Sequence, residues 1–190
     1  KTIKNAARLK TIVSVFVKHG FHNLAERIKL GRYVLEKITS EEVNKFSIVE
    51  RVRISFEELG PTFIKLGQLM ASRPDLVSKE WVDELSKLQD QAQPLPFTTI
   101  KTVIENELGG AFDKYFLSLD EAPLGAASIG QVHRAVLLSG ESVVVKVQRP
   151  GIVEIINDDL SVLYFLAELL ETYVEEAKLY NPVGIVDEFC

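Results

Sequence analysis

The hydrophobic positions of the chain follow three patterns, each of which predicts a different kind of element. Up to about Gly110 they recur at helical spacing. Ile3, Ala7, Ile12, Val15 and Phe16 form a loose stripe ended by Gly20, and Leu24, Ile28, Val34 and Leu35 form a second. A third runs through Val43, Phe46, Val49, Arg53 and Phe56, with Ser40 as the expected cap ahead of Glu41 and Glu42. Leu59-Gly60-Pro61 breaks that helix and restarts it, because glycine suits the position past a helix end and proline the first turn. After a turn at Ser72-Arg73-Pro74-Asp75, a helix capped by Ser78 is predicted with Trp81, Leu85 and Leu88 on its core face. Pro94-Leu95-Pro96 reads as a linker. Thr98 or Thr99 then starts a helix through Ile100, Val103, Ile104 and Leu108 that Gly109-Gly110 ends.

Beyond Gly110 the period changes to two. Phe112, Tyr115, Phe116 and Leu119 suit a connector or first strand. Val132, Arg134, Val136 and Leu138 share one face of a strand, and Val143, Val145 and Val147 one face of the next, with Ser139-Gly140-Glu141 as the turn. After Arg149-Pro150-Gly151, helical spacing returns through Ile155, Ile156, Val162, Leu163, Leu166, Leu169, Leu170 and Tyr173. That is a helix of about 25 residues, or roughly 40 Å at the helical rise. Asn181-Pro182 stops it and starts another. The expected fold is therefore α+β: a helical region over 1–110, then residues 111–190 with a small antiparallel sheet and a long helix.

Composition narrows the function classes. The chain has 190 residues, is 46% hydrophobic and carries a formal charge of −5, which suits a soluble globular segment. No apolar run approaches the roughly 18 residues of a spanning helix, and no signal peptide is apparent. A lysine at the first position and Cys190 in mid-pattern read as the ends of a segment cut from a longer protein. One cysteine and no Cys/His cluster exclude a disulfide framework or a zinc site. Nucleic acid is a poor partner, since no basic patch is interleaved with aromatics. The charge is uneven: Lys1, Lys4, Arg8, Lys10, Lys18, Arg27, Lys29 and Arg32 are opposed only by Glu26, whereas Glu154, Asp158, Asp159, Glu168, Glu171, Glu175 and Glu176 crowd the later helix. The basic start can lie on an anionic membrane surface or against the acidic end of the same molecule.

Candidate chemistry concentrates between Pro123 and Gly151. Gly125-Ala126-Ala127-Ser128-Ile129-Gly130 is a run of small side chains between strand patterns, where the backbone can bend over a ligand and turn N–H groups inward. Lys146, set among valines, calls for an anion or carboxylate, because an unpaired buried ammonium is costly. His133 reads as a packed or hydrogen-bonded histidine inside a strand. On the restarted helix, Lys65 and Gln68 are three residues apart and share a side, and Gly67 between them suggests close approach of a backbone or ligand.

A small-residue loop, a hairpin and a strand lysine follow the plan of a protein-kinase small lobe. The residues resemble in particular the UbiB-type atypical kinase family. Its alanine-rich loop and SIGQVH signature are met by Ala126–His133, its VxVK strand by Val143–Gly151 (VVVKVQRPG), and its KxGQ signature by Lys65-Leu66-Gly67-Gln68. Gly125 departs from the family, which carries alanine at the first small position, and this bears on nucleotide preference. The resemblance covers about Arg51 to the end. It implies an incomplete protein-kinase-like fold, with a helical extension packed on a small-lobe sheet. The implied activity is that of an ATP-binding kinase or ATPase supporting ubiquinone or related isoprenoid-lipid metabolism, inactive without a large lobe; the alternative is a nucleotide-gated scaffold. Gly125, Ala126, Ala127, Ser128, Ile129, Gly130 and Gln131 would bind ATP or ADP, and Lys146 would pair its phosphates. Lys65 and Gln68 would close the pocket. Magnesium ligands, and the glutamate partner of Lys146, would lie beyond this chain, which supplies no metal ligand. Expected partners are nucleotide, lipid or quinone precursors, quinone-biosynthesis enzymes and a peripheral membrane contact. The location would be the cytoplasm or the cytoplasmic membrane face, or the matrix side of an organelle.

Overall fold

In the computed structural model the described residues are 6–30, 45–88 and 92–189, and they form two compact units. The chain is α+β, a mixture of helices and one antiparallel sheet with the form of a small kinase-like lobe.

The first unit, residues 1–89 and 154–190, is helical. It contains α1 (Ala6–Lys18), α2 (His22–Arg27), α3 (Ile48–Leu59), α4 (Pro61–Ala71), α5 (Lys79–Leu85), most of α7 (Ile152–Tyr173) and α8 (Pro182–Phe189). Its core gathers Leu9, Ile12, Phe56, Phe63, Leu66, Leu85, Leu88 and Val162, with Trp81 half-buried against it. The stop and restart at Gly60-Pro61 form as the sequence indicates: Gly60 has φ +98° and Pro61 opens α4. The cap of α3 is Ser47. Its hydroxyl accepts the Glu50 N–H at 3.2 Å while the Glu50 carboxylate accepts the Ser47 N–H at 2.7 Å, a reciprocal capping box. The helix start expected at Ser40 lies outside the described residues, as do Val34, Leu35 and Val43. Ser78 occupies the cap position of α5, but its side chain makes no capping bond.

Charge asymmetry along the chain resolves into pairs inside this unit. Arg8 donates to both oxygens of Asp159, which is fully buried on α7, and its Nη2 also reaches the Leu59 carbonyl at 2.8 Å. Arg27 pairs with Glu176, and Lys18 with Glu58. Of the two sequence-based options for the basic start, pairing with the acidic end is realised at Arg8 and Arg27. The apolar stripe of α1, including Leu9, Ile12, Val13, Val15 and Val17, is turned into the core.

The second unit, residues 90–153, is built on the sheet. It contains α6 (Phe97–Leu108), β1 (Phe116–Leu119), β2 (Gly125–Ala126), β3 (Gly130–Leu137) and β4 (Ser142–Gln148). Residues 97–108, α6, pack with the sheet in this unit. Ile100 and Ile104 of α6 share a core with Phe116, Leu119, Ala135 and Val147, and most of α7 belongs to the helical core.

Strand β3 is the hub. β4 pairs with it from Gly130↔Gln148 to Val136↔Ser142, which occupies one edge. β1 (Leu119↔Ala135) and β2 (Gly125↔Val132) share the other. This register decides which of those faces turns inward. Val143, Val145 and Val147 do point into the core, but their partners on β3 are Ala135, His133 and Gln131. Val132, Arg134 and Val136 stand on the opposite face beside Lys146, Val144 and Ser142. The inward face of β3 is the more polar one because its polar groups are hydrogen-bonded to one another and to backbone, which removes most of the cost of burial.

Candidate functional site

The outward face of the sheet carries the candidate chemistry. Because side chains alternate along a strand, Val145 and Val147 go inward and Lys146 between them goes outward, where it is exposed. The apolar enclosure expected from its sequence neighbours does not form, and no ion pair to Lys146 occurs among the described residues. Directly across from Lys146 is Val132, which is itself registered with Gly125 at the start of the small-residue loop. Val144, 62% exposed, continues the face. An ammonium, an apolar patch and the mouth of a glycine-alanine loop thus lie along one surface.

The loop is a tight turn. Leu124 N–H bonds the Val132 carbonyl at 2.7 Å, and Ala127 N–H bonds the Gly130 carbonyl at 2.8 Å. Gly130 is dictated by crowding: a Cβ there would stand 2.6 Å from the Val147 carbonyl oxygen. Gly125, by contrast, has open space where a Cβ would stand.

Arg149 is the residue that pattern reading missed. Its backbone N–H reaches the Ile129 carbonyl at 3.0 Å, its Nε the Ala127 carbonyl at 2.9 Å, and its Nη2 the Gln93 carbonyl at 2.7 Å. In the sequence it stood within the Val143–Gly151 family match and beside the Pro150-Gly151 turn, with no role of its own.

Gln131, expected among the nucleotide contacts, has its side chain in the core at 1% exposure. Its Oε1 accepts the Leu95 N–H at 2.8 Å, and its Nε2 lies 2.9 Å from His133 Nε2. His133 Nδ1 is 2.7 Å from the Asp120 carbonyl. A carbonyl only accepts, so the network assigns the proton to Nδ1 and leaves Nε2 to accept from Gln131. These two side chains therefore fasten the linker to the sheet, and the Gln131 side chain is committed to those bonds. His133 is the hydrogen-bonded residue the sequence suggested.

In the helical unit, Lys65 and Gln68 lie on one side of α4. Lys65 Nζ donates to Gln68 Oε1 at 3.1 Å, and Gln68 Nε2 donates to the Leu88 carbonyl at 3.1 Å. Gly67 is buried beneath them, where a Cβ would collide with Leu88 Cδ1 at 2.3 Å and Phe56 Cδ2 at 2.9 Å. The close approach is made by side chains of the core. The same unit holds a cavity of about 280 Å³ lined by apolar side chains, among them Ile12, Phe16, Phe63, Leu66, Leu163 and Leu170. Among the described residues no cluster of His, Cys, Asp or Glu is placed to hold a metal ion, and no helix is long and apolar enough to cross a membrane.

A four-stranded antiparallel sheet with a small-residue loop and an outward strand lysine defines a kinase-like small lobe. Residues 87–190 match the ABC1 atypical kinase-like domain. The chain belongs to that family. A probable protein kinase UbiB of Shewanella loihica is 35% identical over 195 residues, covering 99% of this chain and 35% of the relative. An uncharacterised protein in the hydrogenase 1 5′ region of Clostridium pasteurianum is 41% identical over 181 residues, covering 95% of this chain and 32% of the relative. Among solved structures, the Rv3197–erythromycin complex from Mycobacterium tuberculosis is 33% identical, with a TM-score of 0.45 over 66% of this chain and 30% of that one. The chain spans about a third of the length of these relatives.

Proposed function

We propose that the full-length protein is a nucleotide-binding atypical kinase or ATPase of the UbiB type, acting in support of ubiquinone or related isoprenoid-lipid metabolism. The observation that carries this reading is the placement of Lys146, exposed across from Val132, on the surface that begins at the Gly125 loop. An ammonium there would pair nucleotide phosphates, Val132 and Val144 would take the apolar faces of the base, and the loop backbone would cover the phosphates. The surface residues fit a nucleotide in kind: an exposed cation, apolar side chains and a small-residue turn. A magnesium ion, when bound, would supply charge neutralisation at the phosphates, and no His, Cys, Asp or Glu cluster among the described residues is placed to hold it. On the family resemblance Lys65 and Gln68 would also contribute to nucleotide selectivity, and their mutual hydrogen bond orders them.

Thermal shift of the full-length protein with Mg-ATP and Mg-ADP tests this. Saturation at a hundred times the dissociation constant stabilises a fold by about 2.7 kcal/mol. The expected result is a rise in midpoint that Lys146→Ala abolishes. No shift with either nucleotide would remove the reading.

A second reading has its own observation. The apolar cavity in the helical unit favours a scaffold that holds lipid or quinone precursors, or the enzymes that process them, and that nucleotide gates without turnover. Phosphate release by the full-length protein separates the two: sustained release lost in Lys146→Ala supports the enzyme, and binding without release supports the scaffold.

A further inference from the structure

Both carbonyls that flank the tip of the small-residue loop belong to one residue. The Ile129 carbonyl accepts the Arg149 backbone N–H, and the Ala127 carbonyl accepts Arg149 Nε. In a two-residue hairpin, the Ala127 carbonyl would be expected to take the N–H of Gly130 in exchange for the Ala127 N–H that Gly130 receives. Here a guanidinium takes it. The trans peptide sets each N–H opposite its C=O. Holding the Ala127 and Ile129 carbonyls at Arg149 therefore fixes the peptide planes that join Ala127 to Ser128 and Ile129 to Gly130, and the orientation of such planes is what a phosphate-facing loop depends on.

The guanidinium is itself held. Its Nη2 donates to the Gln93 carbonyl, and two residues on, Leu95 is fastened through its N–H by Gln131, which His133 and the Asp120 carbonyl support in turn. Hydrogen bonds thus run from the buried Gln131–His133 pair in the sheet core, through the linker, to the part-buried guanidinium at the loop.

We propose that Arg149 is the positioning residue of the loop, setting its curvature from the Gln93–Leu95 linker and so its affinity for nucleotide phosphate. The ligand in this inference rests on the nucleotide reading above; the tie itself does not. A planar fork can serve two carbonyls at once, whereas the single ammonium of lysine cannot keep that geometry. Arg149→Lys and Arg149→Ala should therefore fail alike, which separates positioning from a direct charge on phosphate.

The experiment uses the full-length protein and two readouts. Without nucleotide, amide exchange across residues 124–130 should be faster in both variants while α6 and β1 keep their protection, which also shows that the variants fold. By calorimetry, the Kd for Mg-ADP should weaken about tenfold, the consequence of losing roughly one charge-assisted hydrogen bond's worth of order in the loop. Unchanged loop exchange in Arg149→Ala would overturn the proposal, as would a lysine variant that binds like the unmutated protein. If the unmutated protein does not bind Mg-ADP, the nucleotide reading fails, and the exchange experiment still decides whether Arg149 sets the loop.

Discussion

Gly125 and Gly130 bound the same loop, yet alanine should act on them in opposite directions. Neither has the positive φ that would exclude a side chain, so space decides. At Gly130 a Cβ would stand 2.6 Å from the Val147 carbonyl oxygen and 3.4 Å from the Gln148 Cα. An ordinary carbon–oxygen contact is about 3.3 Å or more, so a gap of about 0.7 Å must open between β3 and β4. The obstacle is backbone at the point where Gln131 pairs with Val147, and no rotamer change relieves it. Overpacking of this kind costs about 1–3 kcal/mol, against about 0.4–1 kcal/mol gained by restricting the unfolded chain. Gly130→Ala should lose about 1–2 kcal/mol net by that balance. Gly125→Ala meets nothing within 4 Å and should gain about 0.4–1 kcal/mol. Urea unfolding followed by circular dichroism measures both. Amide exchange at β3 serves as the local probe, because the single tryptophan, Trp81, belongs to the helical unit. Equal stability of the two variants would refute the steric reasoning.

Other perturbations test the packing around the candidate site. Arg8→Ala leaves Asp159 fully buried without its guanidinium and should destabilise the helical unit by about 3–5 kcal/mol, read as a lowered urea midpoint in Trp81 fluorescence; a loss below about 1 kcal/mol would contradict the assigned pairing. Gln131→Leu keeps the volume but leaves the Leu95 N–H and His133 Nε2 without their partner, for a loss of about 1–3 kcal/mol and faster exchange at Leu95. Glu84 is held below the usual carboxylate range by hydrogen bonds from Lys87 first and Arg53 second. A depressed carboxylate stabilises fully above its unfolded value, about 4.3, and that contribution is lost as pH falls through the lower folded value. Stability should accordingly be level near neutrality and decline below about pH 4.3, with a shallower acid decline in Glu84→Gln; an identical acid profile in that variant would count against the assignment.

How far the site could be read in advance depended on the range of the physics involved. The loop, the strand lysine and the KxGQ helix were legible as local strings, and so was the restart at Gly60-Pro61, because backbone preferences of glycine and proline act within a residue or two. The face of β3 was not. Alternation grouped Val132, Arg134 and Val136 on one face without showing which way it turns, and register puts Gln131, His133 and Ala135 in the core. A sequence shows that Gln131 and His133 are polar but not that the Leu95 backbone and the Asp120 carbonyl will satisfy them. Lys146 misled for a related reason, since its valine neighbours along the strand point to the other side of the sheet.

What the sequence determined by itself is therefore the set of parts: helices with their breaks, two strands joined at Ser139-Gly140, a small-residue loop, and the signatures that place the chain in its family. These follow from period, turn chemistry and side-chain type, all of which are local. The tertiary structure alone decided which face of the sheet is open, that Gly130 is needed for clearance from Val147 rather than for a special backbone angle, and that Arg149 governs the loop. Each of these depends on residues about 15 to 55 positions apart along the chain being brought within hydrogen-bond or contact distance, and only packing of the whole unit sets those distances.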